Sequence, residues 1–221
     1  MTKRKTAVCV FAHPDDESFG PSGTIYKLAR ENDVYILCAT RGEAGRNSLS
    51  EQKELAKIRE LELKKSARFL GVKKVYFLDF IDGTLSNSLY HALADKIEKH
   101  LRRLKPELII TFEPHGISGH IDHIVVSRVS TFVFKKLPFI KKIMYHCITD
   151  TVASKVGKNY FIEFGDGYKG SEIDKIVDIS NVWDIKVKAM LMHKSQIHDA
   201  QRLIKARKNH PKEEYFLIKT K

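Results

Sequence analysis

The chain has 221 residues, 43% of them hydrophobic and 30% charged, enough apolar sequence to bury one core without disulfides or a structural metal. Its 39 Lys and Arg against 27 Asp and Glu leave a net charge of +12, which invites nucleic acid as a partner. The basic residues are nevertheless spread along the chain, in runs such as Lys135–Lys136, Lys141–Lys142 and Lys205 to Lys208 at the ends of apolar segments, so nucleic-acid binding as the primary function is disfavoured. No stretch approaches the ~18 consecutive apolar residues of a membrane helix, and the apolar run after the basic N-terminus stops at His13, too short for a signal segment. Cys9, Cys38 and Cys147 lie in apolar runs without CxxC spacing, as reduced, buried thiols do. The expectation is a cytoplasmic protein with no stable membrane insertion.

Thr6–Ala12 is an unbroken apolar run rich in β-formers, the pattern of a strand buried on both faces of a parallel sheet. Ser22–Glu31 reads as a short helix, Val34–Thr40 as a second strand and Glu51–Leu70 as a long charged helix. Val75–Phe80 is a third strand, and Leu89, Leu93, Ile97, Leu101 and Leu104 recur at helical spacing before a fourth strand, Leu108–Phe112. After Asp122 a helix to Lys136 (IVVSRVSTFVFKK), ended by Pro138, precedes a fifth strand at Ile143–Thr149. Residues 154–175 read as a loop or short hairpin, Ser180 as the N-cap of a helix over Val182–Lys194, and Tyr215–Lys219 as an edge strand. This alternation predicts an α/β protein, a single-domain doubly wound (Rossmann-like) and mainly parallel sheet with helices on both faces. One domain over 1–221 is expected, with a core over 5–150 and a C-terminal extension, 151–221, packed on it.

Two polar clusters fall where such a sheet binds ligands, at the carboxyl ends of its strands. The first strand runs into AHPDDE, Ala12 to Glu17. A dinucleotide site would want glycines there, and three carboxylates would repel a pyrophosphate; with an imidazole they suit a divalent cation instead. The fourth strand runs into EPHGISGHIDH, Glu113 to His123, and in a 3-2-1-4-5 order the two loops face one another. A catalytic zinc site has three protein ligands and an open position, and His13, Asp16 and His123 would supply two nitrogens and a carboxylate, a set zinc favours. Spacing alone does not tell Asp15 from Asp16.

AHPDDE with the later GHIDH resembles the N-acetylglucosaminyl-phosphatidylinositol deacetylase (PIG-L, or LmbE-like) family, from Ala7 to about His123, with a weaker echo in HKSQ, His193 to Gln196. The resemblance implies Zn2+ on His13, Asp16 and His123, Asp15 as general base, His120 as acid or oxyanion stabiliser in its protonated form, and Asp122 orienting it. It suggests contacts to sugar hydroxyls from TRGEAG, Arg41 and Glu43 in particular, and substrate or oxyanion binding by Arg59. The implied activity is a zinc-dependent hydrolase, an N-deacetylase releasing acetate from an N-acetylglucosamine-type amino sugar or its conjugate. Zinc suits this chemistry because it polarises an amide carbonyl and lowers the pKa of a bound water to about 7. Relatives of this kind commonly associate, so a homo-oligomer is compatible with the resemblance. The alternatives are a related zinc amidase on another acyl conjugate, or a metal-stabilised module binding nucleic acid or anionic glycan. Ser22–Gly23 stands where many relatives have Gly-Gly, and Ile121 where many have Pro, which leaves the loop shape near the site open.

Overall fold

A computed structural model describes residues 4–45, 52–158 and 162–221. The described elements are β1 (Thr6–Phe11), α1 (Asp16–Phe19), α2 (Ser22–Glu31), β2 (Asp33–Cys38), α3 (Gln52–Phe69), β3 (Lys74–Phe77), α4 (Tyr90–Leu104) and β4 (Leu108–Phe112). They continue with α5 (Gly116–Gly119), α6 (Ile121–Lys136), β5 (Lys142–Cys147), α7 (Asp150–Val156), β6 (Lys175–Asp178), α8 (Trp183–Met190), α9 (Ile197–Ala206) and β7 (Glu213–Thr220). The expected start of α3 at Glu51 lies outside the described residues.

The strands form one sheet in the order β3-β2-β1-β4-β5-β7-β6, parallel from β3 to β5. β1 is central because its side chains are apolar on both faces. Val8 and Val10 pack with Leu93, Ile97 and Leu101 of α4 and Val126, Val129 and Val133 of α6. Cys9 and Phe11 pack on the other face with Ile25 of α2, Leu63 and Ala67 of α3 and Ala189 of α8. Each such aliphatic side chain contributes roughly 1.5–3 kcal/mol through burial, and the strands between these helices have no solvated face. α6 stops at Lys136 because Leu137 precedes Pro138 and is extended, at φ −101° and ψ 106°. β2 and β4 flank β1 on opposite sides, so the chain reverses its winding there and leaves a crevice at the carboxyl end of β1.

The C-terminal third departs from expectation in three ways. β7 is internal: it pairs antiparallel with β5 over Lys142–Cys147 and with β6 over Lys175–Asp178, and β6 is the edge. The four-residue β6 is mostly exposed and shows no alternation that would mark it in sequence. The loop expected from residue 154 begins inside α7, whose first turn is capped by Thr149 Oγ1 accepting from Val152 N. Ser180 lies within a 3-10 turn, where Asp178 Oδ1 accepts its N–H and hydroxyl, and α8 ends at Met190, short of Lys194. None of the helices among the described residues is long and apolar enough to cross a membrane, and the three cysteines are free and buried.

The extension is bonded to the segment after β1. Lys186 of α8 and Glu214 of β7 form a buried pair at 2.8 Å, with Lys186 Nζ also donating to Gly20 O. The Glu214 carboxylate accepts the N–H groups of Gly23 and Thr24 in the first turn of α2. Removing one member of a buried pair strands the other charge, so Lys186→Met is expected to cost about 3–5 kcal/mol at neutral pH. Urea unfolding checks this, with the K186M/E214Q double variant recovering part of the loss because no charge is then left unpaired.

Candidate metal and catalytic site

The loop after β1 is closed by one of its own carboxylates. Asp16 Oδ2 accepts the backbone N–H of Ala12 at 3.0 Å and of His13 at 2.9 Å, and its Oδ1 lies 3.2 Å from His123 Nε2. Burial alone would raise the Asp16 carboxyl; the His123 and His13 imidazoles outweigh it and hold the group well below the usual carboxylate range. Asp15, just before it, has a left-handed backbone at φ 108°, and its side chain makes no N-cap bond to α1. A merely structural, helix-capping Asp15 is therefore not what the fold builds.

His13 and His123 face one another with Nδ1 and Nε2 3.1 Å apart. The outer nitrogen of each ring fixes its tautomer. His123 Nδ1 lies 3.1 Å from Gly116 O, and a carbonyl can only accept, so Nδ1 carries hydrogen and Nε2 presents a lone pair. His13 Nε2 meets Asp82 Oδ1 at 2.8 Å and Asp122 Oδ2 at 3.2 Å, so the hydrogen sits on that side and Nδ1 is the free nitrogen. Two lone pairs and a carboxylate turned inward require a positive charge between them. The ligand atoms of His13, Asp16 and His123 all lie within 4.8 Å of one another, and the trio fits a divalent metal with outer-nitrogen partners of the usual kind. A second trio, His13, Asp82 and His120, is equally close-set, but Asp82 meets the edge of His13 already shared with Asp122. Burial would lower His13, yet the bonds to Asp122 and Asp82 hold it up at about 10, so without a metal a proton takes the cation's place.

Asp122 is placed differently from the role expected for it. Its carboxylate accepts the N–H groups of Gly83 at 2.8 Å and Leu85 at 3.1 Å and reaches His13, whereas it meets the His120 ring through its backbone N–H, which donates to Nδ1 at 3.2 Å. That bond puts the hydrogen of a neutral His120 on Nε2. Burial pushes His120 down to about 4, with the neighbouring His13 and His123 adding to the effect, so the ring is neutral rather than an imidazolium.

The residues expected to touch sugar are engaged inside the protein. Arg59 is 4% exposed and donates to Asp15 Oδ2 at 3.1 Å, Pro14 O at 2.7 Å and Gly42 O at 2.7 Å. Gly42 permits that approach, since a Cβ there would sit 2.4 Å from the guanidinium carbon and its φ is +71°. Arg41 donates to Glu60 and Asp79 and lies over the Phe77 ring. Glu43 accepts from Arg41 N and from Asp82 N, which positions Asp82 beside His13. Burial raises the Asp15 carboxyl to about 6, with Arg59 pulling the other way.

Glu17 and His193 complete the underside. Glu17 Oε2 accepts Asp15 N at 3.1 Å, while Oε1 accepts from Ser66 Oγ at 2.6 Å and lies 2.8 Å from His193 Nε2, all fully buried. The third carboxylate of AHPDDE thus holds the strained Asp15 backbone and faces away from the metal trio. Asp82 was not foreseen; its one sequence signal is an acid at the end of the third strand region, in Phe80–Ile81–Asp82–Gly83.

The chain is 33% identical over 193 residues to a probable N-acetyl-alpha-D-glucosaminyl L-malate deacetylase 2 of Bacillus cereus, covering 85% of this chain and 81% of that protein. It is 32% identical over 200 residues to the diacetylchitobiose deacetylase of Thermococcus kodakarensis, covering 87% and 70% respectively. The solved N,N'-diacetylchitobiose deacetylase from Pyrococcus horikoshii, in complex with its inhibitor MPG, superposes with a TM-score of 0.76 at 26% identity, over 98% of this chain and 84% of that one. The family model described as PIG-L: GlcNAc-PI de-N-acetylase matches residues 8–133, and the chain belongs to that family.

Proposed function

We propose that the chain is a zinc-dependent hydrolase that removes the acetyl group from an N-acetylglucosamine-type amino sugar or its conjugate and releases acetate. The observation that carries this reading is the pair of inward-facing nitrogens of His13 and His123, closed by Asp16, with the spare carboxylate of Asp15 on the adjoining residue. Relatives with deacetylase names support the choice of reaction. The reduced state of the three buried thiols supports a cytoplasmic setting.

His13, Asp16 and His123 would hold the zinc, which when bound supplies Lewis acidity toward the amide carbonyl and makes a water easier to deprotonate. Asp15 accepts the proton of the attacking water. Its left-handed backbone, tied from below by Glu17, and its bond to Arg59 fix the carboxylate beside the ligands. As the water oxygen bonds to the acetyl carbon, charge builds on the former carbonyl oxygen. His120 stabilises it with the Nε2–H of a neutral ring, the tautomer set by Asp122 N. The carbon–nitrogen bond then breaks, the amine takes the proton held by Asp15, and acetate leaves.

Asp15→Ala is expected to retain zinc while losing about 10²–10⁴ in kcat for acetate release; normal turnover by this variant would remove Asp15 from the mechanism. A base must be ionised, so kcat/KM should fall as pH drops through about 6 or below, since burial raises Asp15 to about 6 and a cation on its neighbours favours the charged form. An acid limb centred above neutrality would contradict this. Because His13 holds a proton up to about 10, zinc binding at neutral pH should release it, seen as a buffer-dependent heat in calorimetry. The His13→Ala variant should show a smaller proton release.

A further inference from the structure

A cavity of about 350 Å3 lies between the loop after β4 and residues 165–172, lined among others by Glu113, His115, Ile117, Asp166, Tyr168 and Glu172. We propose that it receives the group attached to the N-acetylated sugar and admits an uncharged or amine-bearing sugar while rejecting one that carries carboxylates or phosphates. This rests on the deacetylase reading above and adds the substrate class to it.

Position comes first. Glu113 directly follows β4, and Ile148, also in the lining, directly follows β5, so the cavity opens on the rim of the sheet that carries the metal trio. One turn of backbone separates the two: Ile117 lines the cavity, and Gly116 O, one residue earlier, fixes the His123 ring. Gly116 sits at φ +73°, and a Cβ there would come within 2.9 Å of His123 Cβ, so the shared loop is packed directly against that ring.

Charge comes second. The chain has 39 Lys and Arg against 27 Asp and Glu, yet among the described residues this lining holds Glu113, Asp166 and Glu172 and neither a lysine nor an arginine. Glu113 forms one wall of the cavity. It is buried, with Oε1 accepting from Ile117 N and Oε2 from His115 N at 2.7 Å and Tyr168 Oη at 2.8 Å. Burial and the Glu113 charge raise the Tyr168 hydroxyl, which keeps it protonated. Asp166 and Glu172 are exposed, and Glu172 accepts the Lys169 N–H. A substrate carboxylate brought among these groups meets three side chains of like charge.

Chemistry comes third. Carboxylates accept hydrogen bonds from sugar hydroxyls and ammonium groups, the Tyr168 oxygen can accept one more, the exposed His115 ring can donate or accept, and Ile117 offers an apolar patch to a ring face. The volume is near the lower end of ligand pockets, about 300–1,000 Å3, as befits one further ring.

The test compares acetate release from N,N'-diacetylchitobiose and from the N-acetylglucosaminide of malate, using the zinc-loaded protein. The expected kcat/KM is at least about tenfold higher for the disaccharide, a gap that narrows at high salt and in the Asp166→Asn/Glu172→Gln double variant. Equal or better use of the malate conjugate, or a ratio unmoved by the double variant, would overturn the assignment of this cavity while leaving the deacetylase reading standing. Release of acetate from neither compound would sink the deacetylase reading itself.

Discussion

Two imidazole nitrogens 3.1 Å apart, each carrying a lone pair, repel unless something positive lies between them, and the loops at this end of the sheet are arranged to keep them there. His13 is held from behind by two carboxylates and His123 by a carbonyl, so neither ring can relax by exchanging its tautomer without leaving a buried acceptor facing a lone pair. The fold thereby stores a demand for a cation. The low position of the Asp16 carboxyl and the high position of His13 are two expressions of that demand.

The partners of the trio come from every parallel strand end that borders the crevice. β1 delivers His13 and Asp16, the segment after β2 delivers Glu43, the segment after β3 delivers Asp82, and β4 with the first turn of α6 delivers Asp122 and His123. Glu43 holds Asp82 by its N–H, Asp82 holds His13, and Asp122 ties His13 to the backbone of Gly83 and Leu85. These polar groups are buried and matched, which is what allows ionised side chains to sit in the interior at tolerable cost. Arg59 belongs to the same scheme, since it compensates the Asp15 charge and closes the TRGEAG turn over Gly42.

The parallel half of the sheet was legible because its strands are unbroken apolar runs and its helices repeat at helical spacing, both local signals. The grouping of His13, Asp16 and His123, which could hold a metal, was legible because each half of it is dense in sequence, AHPDDE and GHIDH, and sits immediately after a strand. Asp82 escaped because it is a lone acid in a turn, and the groups it reaches, His13 and Ala44 N, are far away in sequence. Arg41, Glu43 and Arg59 were expected to contact substrate, but most of the partners that engage them lie far away in sequence and carry no local pattern. β7 was read as a strand but misplaced as an edge, because insertion between β5 and a four-residue β6 is a matter of pairing over long separations. Glu17 looked like one more carboxylate for a cation, and what turns it inward is a histidine 176 positions later.

That remote histidine, together with Lys186 and Glu214, bears on the order in which the fold forms. The loop after β1, with His13 and Asp15, rests on groups 166 to 191 positions later in the chain, and β7 lies between β5 and β6. Contacts over such separations form late in folding, so closure of the sheet and support of this loop belong to one late event.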